Sequence, residues 1–310
     1  MATALPVPMS RAGRRHRREL VAALPLIAPW VVGFLAFELG PLLGSAGISF
    51  LHWDLIQKPL WAGAANYREL LGDDPLFWQA LKVTVIYSGL SVPIRLAAAL
   101  LVAILMNQKI PAIALFRTIY YMPSVVSGVA VALLWYWVFN AKFGVLNYLL
   151  SFFGIAGPNW LMDTRWVMPA FIVMSLWGIG GAMIIFLAGL QGVPQELYDA
   201  AQVDGAGRLM SFRHVTWPML TPVVFFNLVM GVIGSFQTFT ASYVMTLGGP
   251  ANATLFYVLY LYRNAFQYFK MGKACALAWI LFLIVLALTA LVIRSSSLWV
   301  FYEAELKGRK

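Results

Sequence analysis

Charged residues are scarce in this sequence of 310 residues. Asp, Glu, Lys and Arg make up 11% of the chain, whereas hydrophobic residues make up 61%. A soluble domain carries roughly 25% charged residues, so this chain has too little charge to cover a soluble surface. Apolar blocks recur along most of its length, which predicts one helical membrane domain rather than two soluble domains.

Cysteine is nearly absent, since Cys275 is the only one in the chain. A single cysteine cannot form a disulfide within the chain or a metal site made of several cysteines. The histidines, His16, His52 and His214, lie far apart and form no HExxH pattern. The sequence therefore predicts no metal site.

A phosphate-binding loop is also missing. The pattern GxxxxGK[ST] does not occur, and its nearest fragment, Gly272-Lys273, has neither the upstream glycine nor the hydroxyl. We therefore expect the chain to hydrolyse no ATP and to bind no cofactor by itself. The basic residues behind the net charge of +10 lie between apolar blocks rather than in a stripe with exposed aromatics, so nucleic acid is not an expected partner.

The sequence does contain a series of apolar stretches, each long enough to cross a bilayer. They predict an all-α integral membrane protein with a basic N-terminal tail (1–19), a membrane domain (20–294) and a C-terminal tail (295–310). The first stretch is too long for the core of a signal peptide, so it is interpreted as an uncleaved anchor. The six predicted transmembrane helices lie near residues 22–50, 81–106, 115–139, 166–191, 218–245 and 274–294.

The basic residues also predict the orientation of the chain. Placing the N-terminus in the cytoplasm puts most of the Lys and Arg residues on the cytoplasmic side, as the positive-inside rule requires. Because six crossings return the chain to the same side, both termini are expected to be cytoplasmic. The main contribution comes from the N-terminal cluster of Arg11, Arg14, Arg15, Arg17 and Arg18.

The segment between the fourth and fifth spans, residues 192–217, carries more helix signals than a connector requires. Pro194 suits a first helical turn, and Glu196 places negative charge where the helix dipole favours it. Apolar and small residues then recur at helical spacing, and Gly205 can end the helix in a left-handed conformation. The pattern predicts a short amphipathic helix at the membrane surface, followed by a second helical stretch over 209–215.

This segment resembles the EAA motif, EAA-x3-G-x9-I-x-L-P, of the permease subunits of binding-protein-dependent ABC importers. Asp199-Ala200-Ala201, Gly205 and Val215-Thr216-Trp217-Pro218 reproduce every gap of the motif, with conservative changes at Asp199, Val215 and Trp217. The shorter Asp side chain leaves any particular ion pair of the family open. Three further stretches resemble the family in the right order: Phe116 to Pro123, Leu247 to Pro250, and Met271 to Trp279.

The resemblance points to the carbohydrate-uptake branch, which includes the maltose and glycerol-phosphate permeases, and implies a type I ABC importer permease fold in a bacterial-type plasma (inner) membrane. The implied partners are a second homologous permease, two cytoplasmic ATPase subunits that bind ATP and Mg²⁺, and an extracytoplasmic solute-binding protein. Segment 192–217 would be the coupling helix that docks on an ATPase subunit. The coupling residues that the resemblance implies are Glu196, Tyr198, Asp199, Ala200, Ala201, Asp204 and Gly205.

Polar side chains within the spans are candidates for a substrate cavity. Ionisable groups are costly at membrane depth; Arg95 either attracts an anion in the cavity or pairs with another helix or subunit, and Glu38 is one candidate partner. Gln237 and Tyr243 of the fifth span either hydrogen-bond between helices or line a cavity suited to sugar hydroxyls. The predicted cavity residues are Trp177, Gln237, Tyr243 and Arg95.

The sequence thus predicts a non-catalytic subunit of an ATP-driven importer that works by alternating access. A neutral sugar or oligosaccharide is the expected solute, and an anionic sugar derivative or phosphorylated polyol is the alternative. A secondary transporter would more often show an internal repeat or broken helices around an intramembrane site. A membrane-embedded enzyme is disfavoured, because only Glu38 and Arg95 offer titratable groups within the membrane.

Overall fold

The computed structural model describes residues 25–108 and 110–301, so the predicted N-terminal arginine cluster lies outside the described residues. Two short strands, β1 (Leu51–His52) and β2 (Leu60–Trp61), pair antiparallel after the first helix. All long elements are helices, as predicted. In chain order the helices are α1 (Pro25–Ile48), α2 (Ala65–Arg68), α3 (Pro75–Met106), α4 (Ile113–Tyr121), α5 (Gly128–Val138), α6 (Val145–Phe152), α7 (Val167–Ser175), α8 (Gly180–Gln191), α9 (Gln195–Val203), α10 (Arg208–Met245), α11 (Tyr257–Tyr262) and α12 (Met271–Trp299).

Helices α1, α3, α10 and α12 are each long and apolar enough to cross a membrane. The pairs α4 with α5 and α7 with α8 pass the same test as bent spans, which brings the number to six. The six ranges agree with the six predicted spans. The second predicted stretch, 209–215, is continuous with the fifth span, because a π-helical turn at Phe212–Thr216 joins it to the rest of α10.

The third and fourth spans are broken helices, which the apolar pattern did not predict. After α4 a 3-10 turn at Met122–Val125 precedes a bend of 100°, and Pro123 in this turn lacks the N–H that a regular helix needs. The bend of 51° between α7 and α8 lies beside Gly180. A Cβ at Gly180 would lie 2.5 Å from the carbonyl oxygen of Tyr120, so the two bends pack closely together.

The fifth span is interrupted as well. Regular helix ends at Phe236 and resumes at Thr240, and residues 237–239 between them are not helical. Three of the six spans therefore expose irregular backbone within the membrane region.

Helix α3 lies at the centre of the bundle and packs against α8 and α10. In its second half, Ala99 and Ala103 share a buried cluster with Met183 and Phe186 of α8 and Leu220 of α10. Small residues such as these alanines let membrane helices approach closely, which strengthens van der Waals packing between them. Helix α1 contacts α12 and has no buried residue in its apolar window, so it lies at the edge of the bundle.

A buried group of charges, the Lys273 cluster, joins the bundle at the end opposite α9. Asp74 caps the N-terminus of α3 by accepting hydrogen bonds from two backbone N–H groups of its first turn. The Lys273 ammonium of α12 lies 2.7 Å from a carboxylate oxygen of Asp74 and 2.7 Å from one of Glu69. Tyr260 of α11 donates its hydroxyl hydrogen bond to Asp74. Burial raises the pKa of Asp74, but the hydrogen bonds from Lys273 and Tyr260 outweigh burial and hold it below its usual value.

Candidate functional site

Helix α9 is the predicted amphipathic helix between the fourth and fifth spans. Pro194 is its N-cap rather than part of its first turn. At the other end, the N–H of Ala206 donates to the carbonyl oxygen of Ala201 at 2.8 Å. Gly205 between them has a φ of +79°, which is the left-handed conformation that the sequence predicted.

The surface of α9 and the start of α10 combines carboxylates with exposed apolar side chains. Val203 and Leu209 are 88% and 82% exposed. Tyr198 and Ala201 are half-buried, so Ala201 is less open to a partner than the sequence suggested. Large apolar side chains exposed next to carboxylates are typical of a surface that contacts another protein. The predicted coupling residues that are exposed are Glu196, Asp199, Ala200, Asp204 and Gly205.

A hydrogen bond ties α9 to the fifth span. The hydroxyl of Tyr198 lies 2.9 Å from the Oγ1 atom of Thr216, which is buried within α10. Within α9, the amide of Gln195 donates to Asp199 one turn later at 3.1 Å. A movement of α9 would therefore reach α10 through a direct side-chain contact as well as through the chain.

An intramembrane cavity of about 340 Å³ lies where the third, fourth and fifth spans are interrupted. Its lining includes Gly128 after the first break, Gly178 at the second and Thr238 at the third. Irregular backbone at membrane depth is tolerated only where it is buried in protein or lines a water-filled cavity. The three breaks therefore favour a polar cavity at this position.

Three of the four predicted cavity residues line this cavity, namely Arg95, Trp177 and Gln237. Tyr243 does not line it. Its ring stacks on Phe239 with 5.2 Å between the centroids and packs against the ring of Tyr262 at 5.3 Å. The structure thus places Tyr243 beside the cavity wall.

Two further lining residues, Tyr87 and Ser175, were not singled out from the sequence. Ser175 is a lone hydroxyl in an apolar stretch of its span, whereas Tyr87 lies among the hydroxyl residues Thr84, Ser88 and Ser91 of the second span. Thr240 also lines the cavity, and its place in the polar part of the fifth span was visible in the sequence.

Arg95 borders a second cavity, of about 550 Å³, together with Ser124 and Asn227. Among the described residues the Nε atom of Arg95 is buried and has no hydrogen-bond partner. The ion pairs within that part of the chain both involve Lys273, and Glu38 is exposed on α1. The suggested pairing of Arg95 with Glu38 is therefore not formed in the described part of the chain.

The helix breaks around the cavity bear on the choice between classes of transporter. Broken helices at an intramembrane site were expected of a secondary transporter, and this chain has them. Broken helices therefore do not distinguish a secondary transporter from a subunit of an ATP-driven importer. The helix between the fourth and fifth spans and the relatives of the chain make that distinction.

A bundle of membrane spans that combines a cavity at helix breaks with an exposed coupling-type helix defines the subunit of a membrane transporter. Residues 95–298 match the model of the family of binding-protein-dependent transport system inner membrane components, and the chain belongs to this family. The resemblance seen in the EAA-like segment is thereby confirmed. Members of this family are the permease components of ABC transporters, so the chain is a transport subunit and not an enzyme.

Relatives and solved structures agree with this family. The chain is 41% identical over 299 residues to the probable ABC transporter permease protein YesP of Bacillus subtilis (strain 168), covering 95% of this chain and 96% of YesP. It is 35% identical over 272 residues to the lactose transport system permease protein LacF of Rhizobium radiobacter, covering 86% of this chain and 90% of LacF. A bacterial alginate ABC transporter, solved in complex with an alginate pentasaccharide-bound periplasmic protein, contains a chain of the same fold. The TM-score is 0.79 at 24% identity, covering 93% of this chain and 97% of that chain.

Proposed function

We propose that this chain is one permease subunit of an ATP-driven, binding-protein-dependent importer of a neutral sugar or oligosaccharide. A second homologous permease would complete the channel, and two ATPase subunits would bind ATP and Mg²⁺. An extracytoplasmic solute-binding protein would deliver the solute, as the periplasmic protein in the alginate complex suggests. Both termini would lie in the cytoplasm, which places α9 on the side of the ATPases.

The contact between Tyr198 and Thr216 carries the proposed coupling mechanism. When ATP closes the ATPase subunits, a displacement of α9 would be passed to the buried start of α10 across a 2.9 Å hydrogen bond. Helix α10 contributes Gln237 and Thr238 to the cavity. The same helix would therefore connect the ATPase surface to the cavity, and its movement would open the cavity to alternate sides of the membrane.

The side chains that line the cavity support the proposal of a hydroxyl-rich solute. Trp177 offers a ring face, and the amide of Gln237 offers both a donor and an acceptor. Arg95 adds donors that can serve sugar hydroxyls. The lactose transport permease is a relative whose named solute has this chemistry.

The coupling proposal is tested by a pair of glycine substitutions two residues apart. Gly205 has a φ of +79°, whereas Gly207 has a φ of −71°, and a Cβ at either site meets no atom within 4 Å. A valine at Gly205 is strained because β-branched residues resist the left-handed region. Gly205→Val should distort α9, whereas Gly207→Val introduces the same side chain without that strain.

We expect both variants to insert normally, because both sites lie outside the spans. Gly205→Val should lose its ATPase subunits on purification, or lose the stimulation of ATP hydrolysis by loaded solute-binding protein. Gly207→Val should retain both properties. Normal stimulation and uptake by Gly205→Val would show that α9 does not couple the permease to an ATPase.

A further inference from the structure

Helix α6 lies between the third and fourth spans, at the end of the bundle opposite α9, and the amide side chain of Asn147 is turned toward the protein. The amide oxygen of Asn147 accepts a hydrogen bond from the indole N–H of Trp160 at 2.7 Å. Its amide nitrogen donates to the carbonyl oxygens of Ala141 and Pro158 at 3.0 and 3.1 Å. These three bonds fix which face of α6 points away from the protein.

Close packing reinforces this arrangement. Gly157 passes so near the Asn147 amide that a Cβ at Gly157 would lie 2.0 Å from the amide oxygen. Any rotation of α6 about its axis would break the contacts of Asn147. The outward face of α6 is therefore built into the fold.

That outward face is apolar and uncovered in this chain. Tyr148 and Phe152, one turn apart, pack edge to face with 4.9 Å between their centroids, and they are 63% and 68% exposed. Phe153, which follows Phe152 in the chain, and Phe143, two residues before α6, are 81% and 72% exposed. Exposed aromatic side chains gathered in this way are typical of a surface that is covered in the functional state.

The charge pattern identifies what covers this face. The sequence has no charged residue between Lys142 and Asp163. A protein interface usually has a polar rim around its apolar centre, and charges steer a soluble partner to it. An uncharged aromatic face instead suits the boundary between lipid headgroups and acyl chains.

The position of α6 also agrees with that boundary. Trp160 packs against Phe139, just after α5, at 5.9 Å, and against Trp166, just before α7, at 5.2 Å. These aromatic rings lie at the ends of two spans, where Trp and Tyr are enriched at the level of the headgroups. The inward side of α6 is thus held at the ends of these two spans, through the hydrogen bond from Trp160 to Asn147.

We propose that α6 is an interfacial helix whose aromatic face inserts into the bilayer leaflet opposite α9. Since α6 has no Lys or Arg, its insertion depends on apolar contact and not on anionic headgroups. The helix would hold the end of α5, whose other end at Gly128 lines the cavity. This inference concerns the bilayer alone and does not depend on which solute is transported.

Spin labels in lipid nanodiscs test the proposal. In a Cys275→Ser background, nitroxides are attached to Tyr148→Cys or Phe152→Cys, with Lys58→Cys in the loop between β1 and β2 as a water-exposed control. We expect both α6 labels to collide with oxygen and to be shielded from a water-soluble nickel chelate, and the Lys58 label to show the reverse. The result should be the same in phosphatidylcholine alone and with added phosphatidylglycerol.

Access of the nickel chelate to the labels at both α6 positions would overturn the proposal, and so would a label depth that changes with phosphatidylglycerol. Labels that become shielded from both oxygen and nickel only when a partner subunit or binding protein is added would also overturn it, because a protein would then cover this face. If the labelled variants do not insert, a lysine pair in the unlabelled chain gives the same test. Phe152→Lys should lower the thermal midpoint in nanodiscs, and Ser151→Lys should not. Equal midpoints for the two variants would also contradict lipid insertion.

Discussion

Replacing Lys273 by methionine should destabilise the bundle strongly, because it removes the cation of the Lys273 cluster and leaves a buried carboxylate behind. The side chains of Lys273 and Asp74 are only 8% and 7% exposed, and their charged atoms lie 2.7 Å apart. Methionine keeps most of the side-chain volume, so the change tests the charge rather than the packing.

The magnitude follows from what Asp74 loses and keeps. Breaking a buried ion pair by removing one partner costs about 3–5 kcal/mol. Asp74 keeps the hydrogen bonds of its helix cap and that of Tyr260, so the lower end of the range applies, about 3 kcal/mol. The second carboxylate, Glu69, is 48% exposed, and water replaces its partner at a cost of less than about 1 kcal/mol.

Thermal unfolding of the purified chain in one detergent measures the effect. About 3 kcal/mol corresponds to a fall of roughly 5–10 °C in the midpoint. Lys270→Met is the matched control, since Lys270 is exposed beside α12, and it should shift the midpoint by no more than about 1–2 °C. The double variant Lys273→Met with Asp74→Asn removes the unpaired charge and should recover part of the loss.

Equal midpoints for Lys273→Met and Lys270→Met would refute the reasoning, because the buried pair would then contribute nothing. A double variant that is less stable than Lys273→Met would show that the lost volume or the cap, and not the unpaired charge, causes the effect.

Three further predictions concern pH and the cavity. The pKa of Asp74 is lowered in the folded chain, so its ionised carboxylate stabilises the fold fully above the unfolded pKa of about 3.9. This stabilisation is lost as the pH falls through the lower folded pKa. The thermal midpoint of the wild type should therefore approach that of Asp74→Asn below about pH 4. Arg95→Gln should raise the apparent KM for a neutral sugar about tenfold through the loss of about 1.5 kcal/mol, with assembly intact; loss confined to an anionic solute would point to the alternative substrate class. Trp177→Ala should lower uptake several-fold without changing basal ATP hydrolysis. Trp166→Ala, at a tryptophan outside the cavity, should leave uptake unchanged. Equal uptake by the two variants would count against the ring face of Trp177 as a binding surface.

The sequence predicted the elements whose signals are local. Six apolar stretches marked the spans, and the position of Gly205 marked the left-handed end of α9, because hydropathy and backbone conformation depend on neighbouring residues. The bends in the third and fourth spans were missed for the same reason. A bilayer accepts an apolar stretch whether or not its helix is continuous, and only Pro123 and the glycines near position 180 hinted at the breaks.

Contacts between distant residues were beyond the sequence. Lys273 was noticed as a fragment of a missing phosphate loop and as part of the stretch Met271 to Trp279, and nothing near it in the chain indicates that Glu69 and Asp74 lie within 3 Å. For the cavity too, the sequence indicated the residues but not their arrangement. Arg95, Trp177 and Gln237 were singled out by residue type, but their meeting at three helix breaks depends on how the spans pack.

The Lys273 cluster also sets the order in which the chain can be completed during synthesis. Glu69 is made 204 residues before the lysine that neutralises it. At roughly 5–20 residues per second, the acidic loop before α3 waits about 10–40 s for that cation. Until the sixth span emerges, neither carboxylate has the ammonium group of Lys273 beside it. A chain that stops before α12 therefore lacks the cation that neutralises both carboxylates.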